Sequence, residues 1–257
     1  MPLEPVYTPV IGAALALFKA MGWQIRVRGI EHIPATGPAV VATNHVGYLD
    51  FTFVGYGVRQ QGRLLRFLAK KEIFDHPVAG PLMRGMKHVP VDRFGRPQQA
   101  FRYAVEALRG GEMLGMFPEA TISRSFIPAA GKSGAARMAM AASSPLVPGA
   151  VWGSQRILTK GRPRNFQRNV AITVDFGAPI EYGPDDDPAD VTKRLMQSIE
   201  KLVDRASREY PQQPAGPHDT WWVPAHLGGT APTTEEADAM AAQERAARRA
   251  RREKEEP

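Results

Sequence analysis

At 257 residues, with 43% hydrophobic and 23% charged side chains, the chain can bury one good-sized core with small appendages, within normal globular composition. The absence of cysteine excludes disulfides and thiolate metal sites, in keeping with a reducing cytoplasm. A formal net charge of +7 implies affinity for anionic surfaces.

Residues 5–18 carry no charge and read as a helix, but about 20 apolar residues are needed to span a bilayer and this run falls short. No basic segment precedes it and no clear cleavage site follows, which argues against a secretory signal. The expectation is an apolar helix at a membrane interface, with Tyr7 and Trp23 near headgroup depth and Lys19 snorkelling. A core helix of the globular body is the alternative. Basic clusters at Arg162-Pro163-Arg164 and Arg248-Arg249-Ala250-Arg251-Arg252 come with no recognisable nucleic-acid module, so a lipid surface is the expected partner and nucleic acid is not.

The run Pro38-Ala39-Val40-Val41-Ala42-Thr43 reads as a short buried strand and is followed by Asn44-His45-Val46-Gly47-Tyr48-Leu49-Asp50. A histidine and a carboxylate at a strand end are the smallest kit that can deprotonate a hydroxyl. The imidazole is available as a base near neutral pH, and the carboxylate fixes its tautomer. Asp50 lies five residues after His45, one off a regular helical face, so the pair needs a turn, for which Gly47 is permissive. The structural alternative is that His45 ends a strand and Asp50 begins a helix.

Residues 98–108 form an amphipathic pattern, with Phe101, Val105 and Leu108 on one face and Gly110-Gly111 ending it, as a crossover helix would. Met113-Leu114-Gly115-Met116-Phe117 is a second apolar strand and ends in Pro118-Glu119-Ala120-Thr121. Strands apolar throughout suit a sheet covered on both faces, and polar groups past their carboxyl ends meet in one crevice. Residues 132–142 read as a small-residue helix, and 170–176 as a strand. Residues 188–208 predict a helix with Asp187 as N-cap, Pro188 in its first turn and a core stripe of Val191, Leu195, Ile199 and Leu202. Residues 211–217 read as a linker, Trp221 and Trp222 as folding back onto the body or, alternatively, dipping into a lipid interface, and 235–257 as a charged, alanine-rich tail, at most a solvated helix, expected to be weakly ordered.

Four blocks in this order resemble the glycerolipid acyltransferase family that includes the 1-acylglycerol-3-phosphate acyltransferases. The blocks are Asn44, His45 and Asp50; Gly85 to Val91 followed by Asp92 and Arg93; Phe117-Pro118-Glu119-Ala120-Thr121-Ile122-Ser123; and the apolar segment around Pro145 and Pro148. The resemblance covers residues 25–182 and implies that family's α/β fold, a mostly parallel or mixed sheet flanked by helices. It divides the chain into an N-terminal helix (1–24), a catalytic domain (25–210) and a linker and tail (211–257).

The resemblance further implies acyl transfer from acyl-CoA or acyl carrier protein, a co-substrate rather than a cofactor, to a lysophospholipid hydroxyl. The acceptor implied is 1-acylglycerol 3-phosphate, giving phosphatidic acid. His45 would be the base and Asp50 its orienter, while Glu119 and Thr121 position acceptor hydroxyls. Arg93 and Arg124 would bind a phosphate, with Lys71 adding to that site. Ala120 departs from the family's glycine, and Ile122 stands where it carries arginine. An unphosphorylated acceptor is therefore the rival reading, and a non-catalytic basic membrane-binding protein a more distant one. The expected location is the cytoplasmic face of the cell membrane, peripheral or monotopic.

Overall fold

The structure, a computed structural model, describes residues 4–92 and 97–255. Helix α1 (Tyr7–Met21) leads into strands β1 (Gln24–Arg28) and β2 (Ala39–Thr43), helix α2 (Asp50–Arg59) and strand β3 (Leu65–Lys70). Two short helices, α3 (Lys71–Phe74) and α4 (Ala79–Gly85), precede β4 (Val89–Val91), α5 (Pro97–Arg109) and β5 (Met113–Met116). The chain continues through α6 (Gly134–Ala141), β6 (Leu146–Trp152), β7 (Ala171–Phe176), α7 (Pro188–Arg208) and α8 (Thr234–Glu255).

The strands form one seven-stranded sheet in the order β1-β7-β6-β2-β5-β3-β4, parallel except where β7 runs against β6. It is the mostly parallel or mixed sheet that the family resemblance implied. Every residue of β2, β6 and β7 is buried, as strands covered on both faces require. Alternation along β7 identifies the two covers. Val174 and Phe176 press so closely on Gly57 of α2 that a methyl group there would lie 2.9 Å from the Phe176 ring. Asp175, between them, faces the other way and pairs with Arg205 of α7 at 3.1 Å and with Arg28 at 2.7 Å. Helix α2 therefore covers one face and α7 the opposite one. The α7 boundaries match the predicted ones: Asp187 accepts the Ala189 N–H at 2.8 Å, and Val191, Leu195, Ile199 and Leu202 are all buried.

The N-terminal helix departs from the interfacial picture in one respect. Tyr7 and Trp23, expected at headgroup depth, are buried in the protein: the Tyr7 hydroxyl donates to the Leu65 carbonyl at 2.7 Å and the Trp23 indole to the Gln167 carbonyl at 2.8 Å. Phe18 stacks on Phe53 of α2 at 5.1 Å, and Arg66 of β3 is buried against Glu4 and Glu112. A buried guanidinium requires such partners, so the start of the chain is tied to β3. The outward face of α1, with Pro9, Gly12, Ala13, Ala16, Leu17 and Ala20, remains exposed and uncharged. Among the described residues no helix is long and apolar enough to cross a membrane.

The C-terminal part is more tightly held than its composition suggests. Within the expected linker, Gln212 accepts the Ala171 N–H at 3.0 Å and donates to the Asn169 carbonyl at 2.8 Å. Trp222 is buried under the Arg156 guanidinium, 4.4 Å from its ring centroid. The tail, expected to be weakly ordered, forms α8. A reciprocal capping box starts it, with the Glu236 N–H donating to the Thr233 hydroxyl at 3.2 Å and the Thr233 N–H to the Glu236 carboxylate at 2.9 Å.

Candidate active site

Three neighbouring parallel strands, β5, β2 and β6, end on the same side of the sheet, so whatever follows them meets there. After β2 come Asn44 and His45, after β5 come Phe117 and Glu119, and after β6 come Gly153 and Ser154. Asn44 prolongs the sheet pairing with its side chain, accepting the Val151 N–H at 2.8 Å and donating to the Val151 carbonyl at 3.1 Å. That clamp fixes where the chain leaves the sheet.

The loop then folds over Asp50, the first residue of α2, which is fully buried. One carboxylate oxygen accepts from His45 Nδ1 at 2.9 Å, from the Val46 N–H at 2.7 Å and from the Gly47 N–H at 2.9 Å. The other accepts the Ser154 hydroxyl. With its proton on Nδ1, His45 presents Nε2 as the basic nitrogen. Its ring lies flat on Phe117, 4.0 Å between centroids with an 11° tilt, and the side chain is 18% exposed. Phe117 stacks in turn near Phe67, and Phe67 meets the half-exposed Phe51 edge-on, so an aromatic wall runs from His45 to the surface. Gly115 makes room for this wall, since a methyl group there would come within 2.6 Å of Phe67.

Gly47 serves a purpose other than the permissive turn expected of it. Its φ is not in the left-handed region, but a methyl group would sit 3.0 Å from Ser154 Oγ and 3.1 Å from the Leu158 carbonyl. The absent side chain lets residues 154–158 close over the loop. The backbone N–H groups of His45, Val46, Gly47 and Tyr48 all donate within the protein, to Glu119, Asp50, Asp50 and Leu158, so none is left to bind a developing oxyanion.

Glu119, expected to position an acceptor hydroxyl, spends both oxygens on backbone: one accepts the His45 N–H at 2.9 Å and the other the Ala129 N–H at 3.0 Å. It is buried, and burial pushes its carboxyl up to about 8, assisted by the charge of Asp50 and opposed by the two N–H bonds. Thr121 is exposed on the following turn, and Ile122 is buried. Ala120 has φ 57°, which explains the family's glycine at this position. Arg124 pairs with Glu244 of α8. Lys71 begins α3, is 58% exposed and lies 3.9 Å from Asp92. Arg93 lies outside the described residues.

The sequence reading assigned no role to Ser154 or Thr159. Ser154 follows Gly153, whose φ of 96° turns the chain back towards Asp50, and Thr159 donates to the Val46 carbonyl at 2.6 Å. The legible signal was the position of Ser154 just beyond a strand parallel to β2.

At the strand ends of this open α/β sheet sits a carboxylate-steadied imidazole, an arrangement chemically able to take a proton from a hydroxyl. The family model described as Acyltransferase matches residues 24–152, and the chain belongs to that family. It is 28% identical over 195 residues, 75% of this chain and 94% of the relative, to a 1-acyl-sn-glycerol-3-phosphate acyltransferase of Bacillus subtilis. To the chloroplastic enzyme LPAT1 of Arabidopsis thaliana it is 30% identical over 54% of this chain and 39% of the relative. The crystal structure of the 1-acyl-sn-glycerophosphate acyltransferase PlsC of Thermotoga maritima superposes with a TM-score of 0.67 at 20% identity, covering 80% of this chain and 81% of that one, and shows the same fold. The chain is thus an acyltransferase.

Two measurements check this account of the Phe-Pro-Glu turn. Because the buried Glu119 carboxyl is favoured neutral, with its value raised from 4.5 to about 8, its own contribution to stability should be full below 4.5, fall from there to about pH 8 and level off above. Urea unfolding of Glu119→Gln should lack that slope and show about 1–3 kcal/mol less stability at neutral pH, because the amide cannot accept both N–H bonds. Ala120→Gly should raise the unfolding free energy by about 1 kcal/mol by relieving the left-handed backbone; an unchanged or lowered urea midpoint would contradict the strain argument.

Proposed function

We propose that the enzyme transfers a fatty acyl group from an acyl thioester, acyl-CoA or acyl carrier protein, to the free hydroxyl of 1-acylglycerol 3-phosphate, giving phosphatidic acid. The observation that carries this reading is His45, held through Nδ1 by buried Asp50 and flat against Phe117, with Nε2 as the base. The names of the relatives support the acceptor.

The His45 Nε2 takes the acceptor's hydroxyl proton as that oxygen attacks the thioester carbonyl. Asp50 keeps the ring oriented and stabilises the imidazolium that forms. The tetrahedral adduct then collapses, the carbon–sulfur bond breaks, and the imidazolium returns its proton to the departing thiolate. A thioester is already activated and its thiolate leaves readily, so a base and its orienter suffice without a covalent acyl-enzyme. The aromatic wall Phe51–Phe67–Phe117 offers the acyl chain an apolar approach.

The uncharged outward face of α1, with Lys19 beside it and a net charge of +7, supports a peripheral seat on an anionic membrane surface, on the cytoplasmic face. A second reading, an acceptor without phosphate, draws on Ile122 being buried where the family carries arginine, and on Arg124 being held by Glu244.

Thiol release from oleoyl-CoA, followed with purified protein against 1-oleoylglycerol 3-phosphate and a panel of other lysolipids, separates the two. Product from the phosphorylated acceptor is expected; product only from an unphosphorylated one would establish the second reading instead. His45→Ala should lower turnover by ~10²–10⁴-fold while circular dichroism shows the fold retained. Unaltered turnover in that variant would rule His45 out as the base.

A further inference from the structure

Arg124 and Lys160 come from separate turns and converge beside the catalytic loop. Arg124 follows Ser123, whose N–H donates to the His45 carbonyl at 2.8 Å; Lys160 follows Thr159, whose hydroxyl donates to the Val46 carbonyl at 2.6 Å. Each cation is therefore one residue from a bond to the segment that carries the base. Neither behaves as an ordinary surface charge, since their side chains are only 21% and 18% exposed. The Arg124 Nε is buried without a partner among the described residues. Its guanidinium lies against Gly161, where a methyl group would come within 1.9 Å of Nη1.

Both cations meet the same carboxylate. Glu244 of α8 places one oxygen on Arg124 and the other 2.5 Å from Lys160 Nζ, an arrangement two oxygens of a phosphate ester would reproduce. Lys160 first, and then Arg124, hold the Glu244 carboxyl down to about 2, so it stays charged at any working pH. Little else holds the helix there. Between Glu235 and Ala247 only Ala237, Ala241 and Glu244 are half-buried, a thin seam of two alanines and a carboxylate.

We propose that Arg124 and Lys160 form a phosphate-ester site of the acyl-transfer reaction, and that Glu244 occupies it until a substrate phosphate displaces it. The proposal rests on the function proposed above; to the phosphate role expected of Arg124 it adds Lys160 as a second recognition residue and Glu244 as an internal competitor. The ligand is a phosphate ester, which the acceptor's glycerol phosphate and the phosphates of coenzyme A both supply. A phosphate carries more charge than a carboxylate and satisfies both cations, whereas α8 loses only its thin seam on leaving.

The test uses the full chain and the variants Glu244→Gln, Lys160→Gln and Arg124→Gln, each checked by circular dichroism melting. Steady-state constants are measured for 1-oleoylglycerol 3-phosphate against 1-oleoylglycerol, and for oleoyl-CoA against oleoyl-pantetheine, which lacks the CoA phosphates. Glu244→Gln should lower KM for one phosphorylated substrate several-fold, and Lys160→Gln should raise it by about tenfold or more, as loss of a charge-assisted bond implies. The phosphate-free analogue of that substrate should be indifferent to both changes, and whichever pair shows the contrast identifies the source of the phosphate. Equal shifts with the phosphate-free analogues, or no shift in any variant, would overturn the site. Calorimetric titration with glycerol 3-phosphate and with coenzyme A reads the same site without turnover. Tighter binding of either ligand by Glu244→Gln upholds it even if no acceptor is acylated, an outcome that would sink only the proposed function; unchanged affinity for both overturns it.

Discussion

Shut away from water, the Asp50 carboxylate gathers four donors onto two oxygens: an imidazole, two backbone N–H groups and a hydroxyl. Each donor fixes something different. The imidazole bond sets the tautomer of His45, and the two N–H bonds wind the loop into the turn that brings residues 45 and 50 together. The hydroxyl of Ser154 fastens this turn to the end of β6. A carboxylate at the first position of a helix is also where the backbone dipoles favour negative charge. Removing Asp50 would thus free the His45 ring and also strand three polar groups in a dry interior.

Much of this arrangement follows from strand order. With β2 between β5 and β6 and all three parallel, the segments after them stand side by side, and the rest is local hydrogen bonding. Glu119 holds the His45 backbone from one side and Thr159 holds the Val46 carbonyl from the other. His45 is therefore positioned largely through main-chain contacts.

The apolar runs made β2, β5 and β7 legible, and the cap and stripe of α7 were legible to the residue, because burial on both faces and helix initiation leave local signatures. The His45–Asp50 pairing was also readable, since it needs only a short turn. What escaped depends on partners remote in sequence. Glu119 looks like a substrate ligand until its two main-chain donors, one of them 74 residues away, are seen. Tyr7 and Trp23 have the amphipathic character of membrane-interface residues, yet their polar ends find carbonyls of Leu65 and Gln167. The tail lacks large apolar residues, which concealed not its capacity for a helix but the cap at Thr233 and Glu236 and the seat provided by Glu244.

The buried Arg66 has a mechanical consequence. It ties the start of the chain to β3, the next residue on β3 is Phe67, and Phe67 leans on Phe117, the floor beneath His45. Whatever grips the outer surface of the first helix is thereby coupled, through one cation and two rings, to the platform under the imidazole. The first helix is thus held as a strut between the exposed face it presents and the ring stack beneath His45.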